Sequence, residues 1–158
     1  MGCLVRIGTP AVPGLIESLE SPRFQARRLA ARGLGRIGDS RAIEPLGRLL
    51  QDDRNFVVRC EAAAALGRFT DERAMRALCR SVAEEQDAVV AEEAARALGA
   101  RKWAAAAPVL VERLRISESG GTSIALAGAL REALSRITGL DRNSPPAVFG
   151  RWQPEARP

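Results

Sequence analysis

Carboxylates, arginines and thiols are the groups that could do chemistry here, because the sequence has no histidine and no tyrosine. Without an imidazole there is no Ser-His or Cys-His pair, no common proton carrier near neutral pH and no histidine-rich metal site. The cysteines, Cys3, Cys60 and Cys79, are too far apart in sequence for a CxxC ligand pair. Their odd number favours reduced thiols in a cytoplasmic protein, so we expect no disulfide, no metal and no cofactor.

One thiol has a second interpretation. Cys60 follows Arg59, and a neighbouring guanidinium favours the thiolate form of a cysteine. The competing interpretation is packing, since a free cysteine most often behaves as a small hydrophobic residue.

Five of the 19 carboxylates lie in one stretch, between Arg80 and Arg96, that has no basic residue. Its members are Glu84, Glu85, Asp87, Glu92 and Glu93. A pair of carboxylates can perform acid and base catalysis, but consecutive residues point around a helix and do not converge on one substrate atom. We therefore predict no catalytic residue among them.

The arginines outnumber lysine by 23 to one, and three of them, Arg28, Arg32 and Arg36, are spaced four residues apart. On a helix they share a face, and each like-charged pair costs about 0.2–0.5 kcal/mol. An acidic partner would relieve that cost, and the competing interpretation is a solvated face paired with nearby acids. Arg27 and Arg59 recur at one position of a repeat, where we predict structural hydrogen bonds to turns and acids.

The charge is unevenly distributed along the chain. Residues 1–80 carry 14 basic and 9 acidic groups, whereas residues 81–158 carry 10 of each. The net charge of +5 and the pI of about 10.3 make nucleic-acid binding through the N-terminal half an alternative function. The low aromatic content of 4% weakens it, because Phe24 and Phe56 are predicted at packing positions that leave no side chain to stack on bases.

Four similar segments organise the chain and must position these groups. Their second halves end in Leu34-Gly35-Arg36-Ile37-Gly38, Leu66-Gly67-Arg68-Phe69-Thr70, Leu98-Gly99-Ala100 and Leu134-Ser135-Arg136-Ile137-Thr138, with leucines spaced by 32, 32 and 36 residues. Their first halves contain Leu15, Leu46, Leu78 and Leu110, spaced by 31, 32 and 32 residues. A period in this range is the signature of a stacked repeat architecture.

Each segment is predicted to form two helices. Val12, Leu15, Ile16 and Leu19 fall at i, i+3, i+4 and i+7, on one helical face. A short polar break follows, and the second helix carries alanine, glycine and leucine at positions that let helix axes approach closely. Alternating strand patterns are absent, so the fold class is predicted to be all-α.

The motif Ala-Val/Ile-x-x-Leu, followed by Val-Arg-x-x-Ala-Ala-x-Ala-Leu-Gly, resembles the HEAT-repeat family and its short bacterial, phycobilisome lyase-type repeats. The fullest match runs from Val58-Arg59 to Ala65-Leu66-Gly67. The resemblance implies a right-handed α-solenoid of about four helical hairpins, with the second helices on the concave surface. It also leaves a bilin-lyase-like enzyme as a further, less favoured alternative.

We expect a partial repeat at 1–8, repeats at about 9–38, 39–70, 71–100 and 101–140, and an irregular tail at 141–158 that either caps the last repeat or is disordered. Ala91 stands where the first two repeats have Arg27 and Arg59, so the third repeat departs from the pattern. Leu4 and Ile7 at the open N-terminal end are predicted to need covering, which would allow self-association there.

The non-core positions of the second helices are the candidate partner-binding residues. They are Gln25, Arg28, Arg32, Cys60, Glu61, Glu92, Glu93 and Arg96, with Ala125, Gly128, Ala129 and Glu132 at the same positions of the fourth repeat. This surface is expected to run from basic to acidic and to hold a protein or peptide segment. The sequence therefore predicts a non-enzymatic, cytoplasmic scaffold, and it contains no apolar stretch long enough to span a membrane.

Overall fold

The computed structural model describes residues 8–120 and 123–154, and this part of the chain is all-α. Its α-helices are α1 (Val12–Ser18), α2 (Phe24–Ile37), α3 (Ile43–Asp52), α4 (Phe56–Leu66), α5 (Glu72–Glu84), α6 (Ala88–Arg101), α7 (Ala107–Ser119), α8 (Ile124–Thr138) and α9 (Pro146–Phe149). Short 3₁₀ turns at Thr9–Ala11, Ser40–Ala42 and Ala104–Ala106 precede α1, α3 and α7. Cys3, Leu4 and Ile7, with the self-association expected at that end, lie outside the described residues.

The first eight helices form four hairpins stacked in two layers. Each first helix (α1, α3, α5, α7) packs on its own second helix (α2, α4, α6, α8). Each second helix also packs along the next second helix, and α3, α5 and α7 pack on one another in the same order. The predicted all-α solenoid of helical hairpins is therefore confirmed. The repeat boundaries given above stay a prediction.

Side-chain caps start several of these helices. The carboxylates of Asp71 and Asp87 and the amide oxygen of Asn55 each accept a hydrogen bond from the backbone N–H two residues later, at 2.9 Å. These bonds satisfy one of the orphan N–H groups of a helix start. At the end of α2, Gly38 takes a left-handed conformation with φ of 71°, which a residue without a Cβ adopts at no steric cost.

The second helices approach each other more closely than the first helices do. A Cβ placed on Gly35 would lie 2.8 Å from Cα of Ala65, and one on Gly99 would lie 2.7 Å from Cα of Ala133. Between α3 and α5 of the first layer, the Cβ that Gly47 lacks would lie 3.7 Å from its neighbour. Because the second-helix layer is the tighter one, we infer that the stack bends with these helices inside, and we call them the inner helices.

The tail turns back onto the last hairpin. The helix α9 packs on α7, where Phe149 is only 1% exposed and Trp152 packs partly buried against the core. This is the position that a cap would take. Residues 155–158 lie outside the described part. No described helix has the length and apolar character needed to span a membrane.

Candidate functional site

The repeated arginines hold the turns that join the two helices within a hairpin. Nε and Nη2 of Arg27 donate to both carboxylate oxygens of Asp53, at 2.6 and 2.9 Å, while Nη1 donates to the carbonyl of Ser21 at 2.8 Å. Arg59 binds Glu85 in the same bidentate way and donates to the carbonyl of Asp53 at 2.7 Å. The structural role predicted for these two arginines is confirmed, and their donors are occupied by the protein itself.

The Arg27–Asp53 and Arg59–Glu85 pairs follow one another along the stack, and we call them the arginine ladder. The carboxylate of Asp53 shows the electrostatic effect of this ladder. Burial alone would raise its pKa, but the hydrogen bonds from Arg27 and from the backbone N–H of Asn55, with the charge of Arg27, outweigh burial and lower the pKa. The two side chains of the Arg27–Asp53 pair are 8% and 3% exposed. The ladder is therefore a buried structural pair and offers no free charge to a ligand.

The eight predicted partner-binding residues all lie on the inner helices α2, α4 and α6. The structure brings Arg32 and Glu61 together across two helices, with contacts of 3.0 Å (Nε to Oε1) and 2.7 Å (Nη2 to Oε2). Arg96 bridges Glu92 and Glu93 on α6. Five of the eight residues are thus already paired with one another.

The three remaining predicted residues are placed differently. Gln25 is exposed at the start of α2, and Cys60 is half-buried on α4 without a hydrogen bond to the other candidates. Nε of Arg28 is buried and has no hydrogen-bond partner among the described residues. The gradient from basic to acidic is consequently weaker than expected, because pairs between neighbouring helices neutralise charges that the sequence shows as separate.

The residues of the acidic stretch have separate structural roles. Glu85 binds Arg59, the carboxylate of Asp87 caps α6, and Glu92 and Glu93 contact Arg96. Glu84 is exposed at the end of α5. These carboxylates do not meet at one point where they could act on a substrate.

Both described cysteines are protonated thiols at neutral pH. Burial raises the pKa of Cys60 to about 11, assisted by the charges of Asp87 and Glu93 and opposed by Arg59. Burial also raises the pKa of Cys79 to about 11. The interpretation of Cys60 as a redox thiol is therefore not supported, since the thiolate is the reactive form.

Two aromatic side chains differ from their predicted placement. Phe24 and Phe56 were expected at packing positions, but they are 39% and 46% exposed at the first turns of α2 and α4. The expectation was wrong because each is the first residue of its inner helix, and neither packs against the hydrophobic core.

A groove lies between the last two inner helices. It has a volume of about 580 Å³. Its sides carry the ion pairs Glu92–Arg96 and Glu132–Arg136, and its floor consists mainly of alanine and glycine. Ala125, Gly128, Ala129 and Glu132, the candidates from the fourth repeat, all line it. Arg136 and Arg142 also line it, although sequence reasoning did not select them.

The groove is open above Gly128, because no atom lies within 4 Å of the position that its Cβ would take. Small floor residues let another backbone approach closely, and the flanking ion pairs offer both charge signs to a polar partner. This arrangement suits the binding of a chain segment. Among the described residues, no three His, Cys, Asp or Glu side chains come together as a site for a metal ion.

The fold and this open inner surface define a helical-repeat protein of the solenoid class. The chain belongs to the HEAT repeats family, whose pattern matches residues 12–99. Residues 90–115 match the PBS lyase HEAT-like repeat. Both matches agree with the resemblance seen in the sequence. No curated protein matches the chain significantly.

A solved structure is similar to this chain. It is "The structure of the complex of CpcE and CpcF of phycocyanin lyase from Nostoc sp. PCC7120", with a TM-score of 0.67 and 29% sequence identity. The similarity covers 79% of this chain and 52% of the matched chain, so this chain spans about half the length of that relative.

These comparisons correct one prediction. The sequence led us to expect a protein that is not an enzyme, and that expectation is wrong. The PBS lyase HEAT-like repeat and the similarity to a phycocyanin lyase complex point to a lyase-related protein. The comparisons give no support to the nucleic-acid alternative.

Proposed function

We propose that this chain is a lyase-related HEAT-repeat protein that holds a segment of a protein partner on its inner helices. The groove of about 580 Å³ between α6 and α8 carries the proposal. The contact residues would be Gln25, Arg28, Arg32, Cys60, Glu61, Glu92, Glu93 and Arg96, together with the groove residues of α8.

The similarity to solved structures supports a protein partner. The matched structure is a complex of CpcE and CpcF of phycocyanin lyase, in which two chains associate. Since the similarity extends over most of this chain, association with another protein is the simplest common property to transfer. Phycocyanin is the first defined probe, because it is named in that relative's activity.

Binding would combine a rigid surface with orientation by charge. The inner helices are fixed by tight packing, so little ordering is needed when a partner binds. The Glu92–Arg96 and Glu132–Arg136 pairs would orient polar groups of the partner. Such charges act mainly on the association rate and specificity, and their effect weakens with salt because the Debye length is about 8 Å at physiological ionic strength.

A pair of charge swaps tests the surface. The inner variant carries Glu92→Arg and Arg96→Glu, and the outer control carries Glu72→Arg and Arg76→Glu on α5. Both change an i,i+4 ion pair and conserve the net charge. Helical circular dichroism should be unchanged in both variants.

Binding to purified phycocyanin is measured first, and proteins captured from the native cell extract are identified and purified as further probes. We expect the inner swap to reduce binding and the outer swap to preserve it. Equal binding by the two variants, whether it is retained in both or lost in both, would refute the proposed face.

A further inference from the structure

A second cavity lies at the opposite side of the last hairpin from the groove. It has a volume of about 570 Å³ and lies between α7, the 3₁₀ turn before it and the tail. Val111 and Pro108 of α7 face Phe149, Trp152 and Pro154 of the tail across it. The lining is mostly apolar and includes two aromatic rings.

The tail builds one wall of this cavity. Phe149 is 1% exposed and anchors α9 on α7, so the residues that follow must cross the outer side of that helix. Backbone bonds from Gly150 to Pro146 (2.9 Å) and from Trp152 to Phe149 (3.1 Å) hold the turn. The wall is therefore an ordered part of the fold, with Trp152 placed at the cavity by the same turn.

One cation at this cavity has unused donors. The guanidinium of Arg115 makes no hydrogen bond to any described residue, and its nearest carboxylate oxygen, on Glu112, lies 3.8 Å away. Gly150 has no side chain, and Nη2 of Arg115 lies 3.2 Å from the position that a Cβ of Gly150 would take. The guanidinium therefore lies against the backbone of the tail. Among the residues that line the cavity, Arg115 is the one cation and Glu112 is the one carboxylate.

We propose that this cavity binds a small molecule that combines an apolar body with one anionic group. Ligand sites of about 300–1,000 Å³ with apolar and aromatic walls and a few placed polar groups suit such molecules. The apolar body packs against Pro108, Trp152 and Pro154, which line the cavity and are not buried, and a carboxylate or sulfonate accepts hydrogen bonds from Arg115. A guanidinium suits this role because its planar donors match the oxygens of a carboxylate. The site is separate from the inner groove and does not depend on the function proposed above.

The test uses the full chain and the fluorescent probe 8-anilinonaphthalene-1-sulfonate, which has an apolar ring system and one sulfonate. Arg115→Gln removes the charge, and Ala105→Phe fills the cavity from an exposed lining position. The matched controls are Arg48→Gln, an arginine of α3, and Ala147→Phe, an exposed alanine of α9; neither residue lines the cavity.

We expect saturable binding by the unmodified chain and by both controls. Arg115→Gln should weaken binding about tenfold, the effect of losing a charge-assisted hydrogen bond, and Ala105→Phe should abolish it. No binding by the unmodified chain, or equal loss in the controls, would overturn the proposal.

Competition separates the chemistry of the ligand. Dodecanoate and 1-naphthoate are added as acyl and aromatic anions, and dodecylamine is added as a cation of matched length. We expect one or both anions to displace the probe and dodecylamine to leave it bound. Displacement by dodecylamine as effective as by dodecanoate would overturn the requirement for an anion.

Discussion

The close contact between α6 and α8 makes a sharp prediction about two glycines. Gly99 and Gly128 both lie inside helices, so replacing either by alanine gains about 0.5–1 kcal/mol of helix propensity. At Gly128 the added methyl group enters open space. At Gly99 it would lie 2.7 Å from Cα of Ala133 and 2.9 Å from its Cβ.

The difference between these variants isolates the cost of separating the two helices. Carbon atoms in contact prefer about 3.5–4.0 Å, so α6 and α8 must move apart locally. Overpacking of this kind costs about 1–3 kcal/mol. We therefore expect Gly128→Ala to stabilise the chain and Gly99→Ala to be about 1–3 kcal/mol less stable than Gly128→Ala.

Urea unfolding followed by circular dichroism measures both free energies. For a chain of this size each kcal/mol corresponds to a shift of about 2–4 °C in Tm, so thermal unfolding provides a second reading. The reasoning fails if Gly99→Ala is as stable as Gly128→Ala. Adding Ala133→Gly to Gly99→Ala removes one of the two contacts and should relieve part of the steric cost.

Three further predictions concern the arginine ladder and the thiols. Arg27→Met should destabilise the chain by about 3–5 kcal/mol in urea unfolding, because it leaves the Asp53 carboxylate buried without its cation. The pKa of Asp53 is lowered in the folded state, so its contribution to the free energy of unfolding is complete above its unfolded pKa of about 3.9 and is lost as pH falls through the folded pKa. In an acid titration, Asp53→Asn should therefore lose less stability below about pH 4 than the unmodified chain does. With Cys3 replaced by serine, Cys60 and Cys79 should react with a disulfide reagent at pH 8 about tenfold more slowly than a thiol of pKa 9.0, because the smaller thiolate fraction outweighs the higher nucleophilicity of a more basic thiolate, and at ordinary rates once unfolded.

The first of these predictions has a control on the same molecule. Arg76→Met removes an exposed i,i+4 pair and should change stability by less than about 0.5 kcal/mol. Equal effects of Arg27→Met and Arg76→Met would contradict the burial argument. If Asp53→Asn loses as much stability below pH 4 as the unmodified chain, the stated direction of the Asp53 pKa is contradicted. If either thiol reacts in the folded chain as rapidly as a thiol of pKa 9.0, the stated direction of the cysteine pKa is contradicted.

The architecture was readable from the sequence because packing repeats wherever the residues repeat. Leu34, Leu66 and Leu98 are fully buried, and Gly35 and Gly99 lie at the close helix contacts that small residues predicted. These positions depend only on neighbouring hairpins of the same kind. A period near 32 residues is therefore enough to define the environment of each of them.

The candidate surface was only partly readable, because it depends on distances between hairpins. The sequence placed Arg32 and Glu61 on one face but did not show that their side chains bind each other across 29 residues. The terminal cavity was missed for a related reason. Its wall is an irregular tail, and no periodic signal shows where Trp152 will lie.

The interruption of the ladder at Ala91 shows what the repeat motif represents physically. Ala91 has no donor for the turn at Glu85, yet the part-buried carbonyl of Glu85 at that turn still needs a hydrogen bond. Nη2 of Arg113, which lies on α7 of the following hairpin, donates to the carbonyl of Glu85 at 2.8 Å, and its Nη1 approaches that of Ala83 at 3.4 Å. The requirement that recurs in the first three hairpins is therefore a guanidinium at the turn carbonyl. Because a neighbouring hairpin can supply it, a repeat that departs from the sequence motif can keep the geometry of the array.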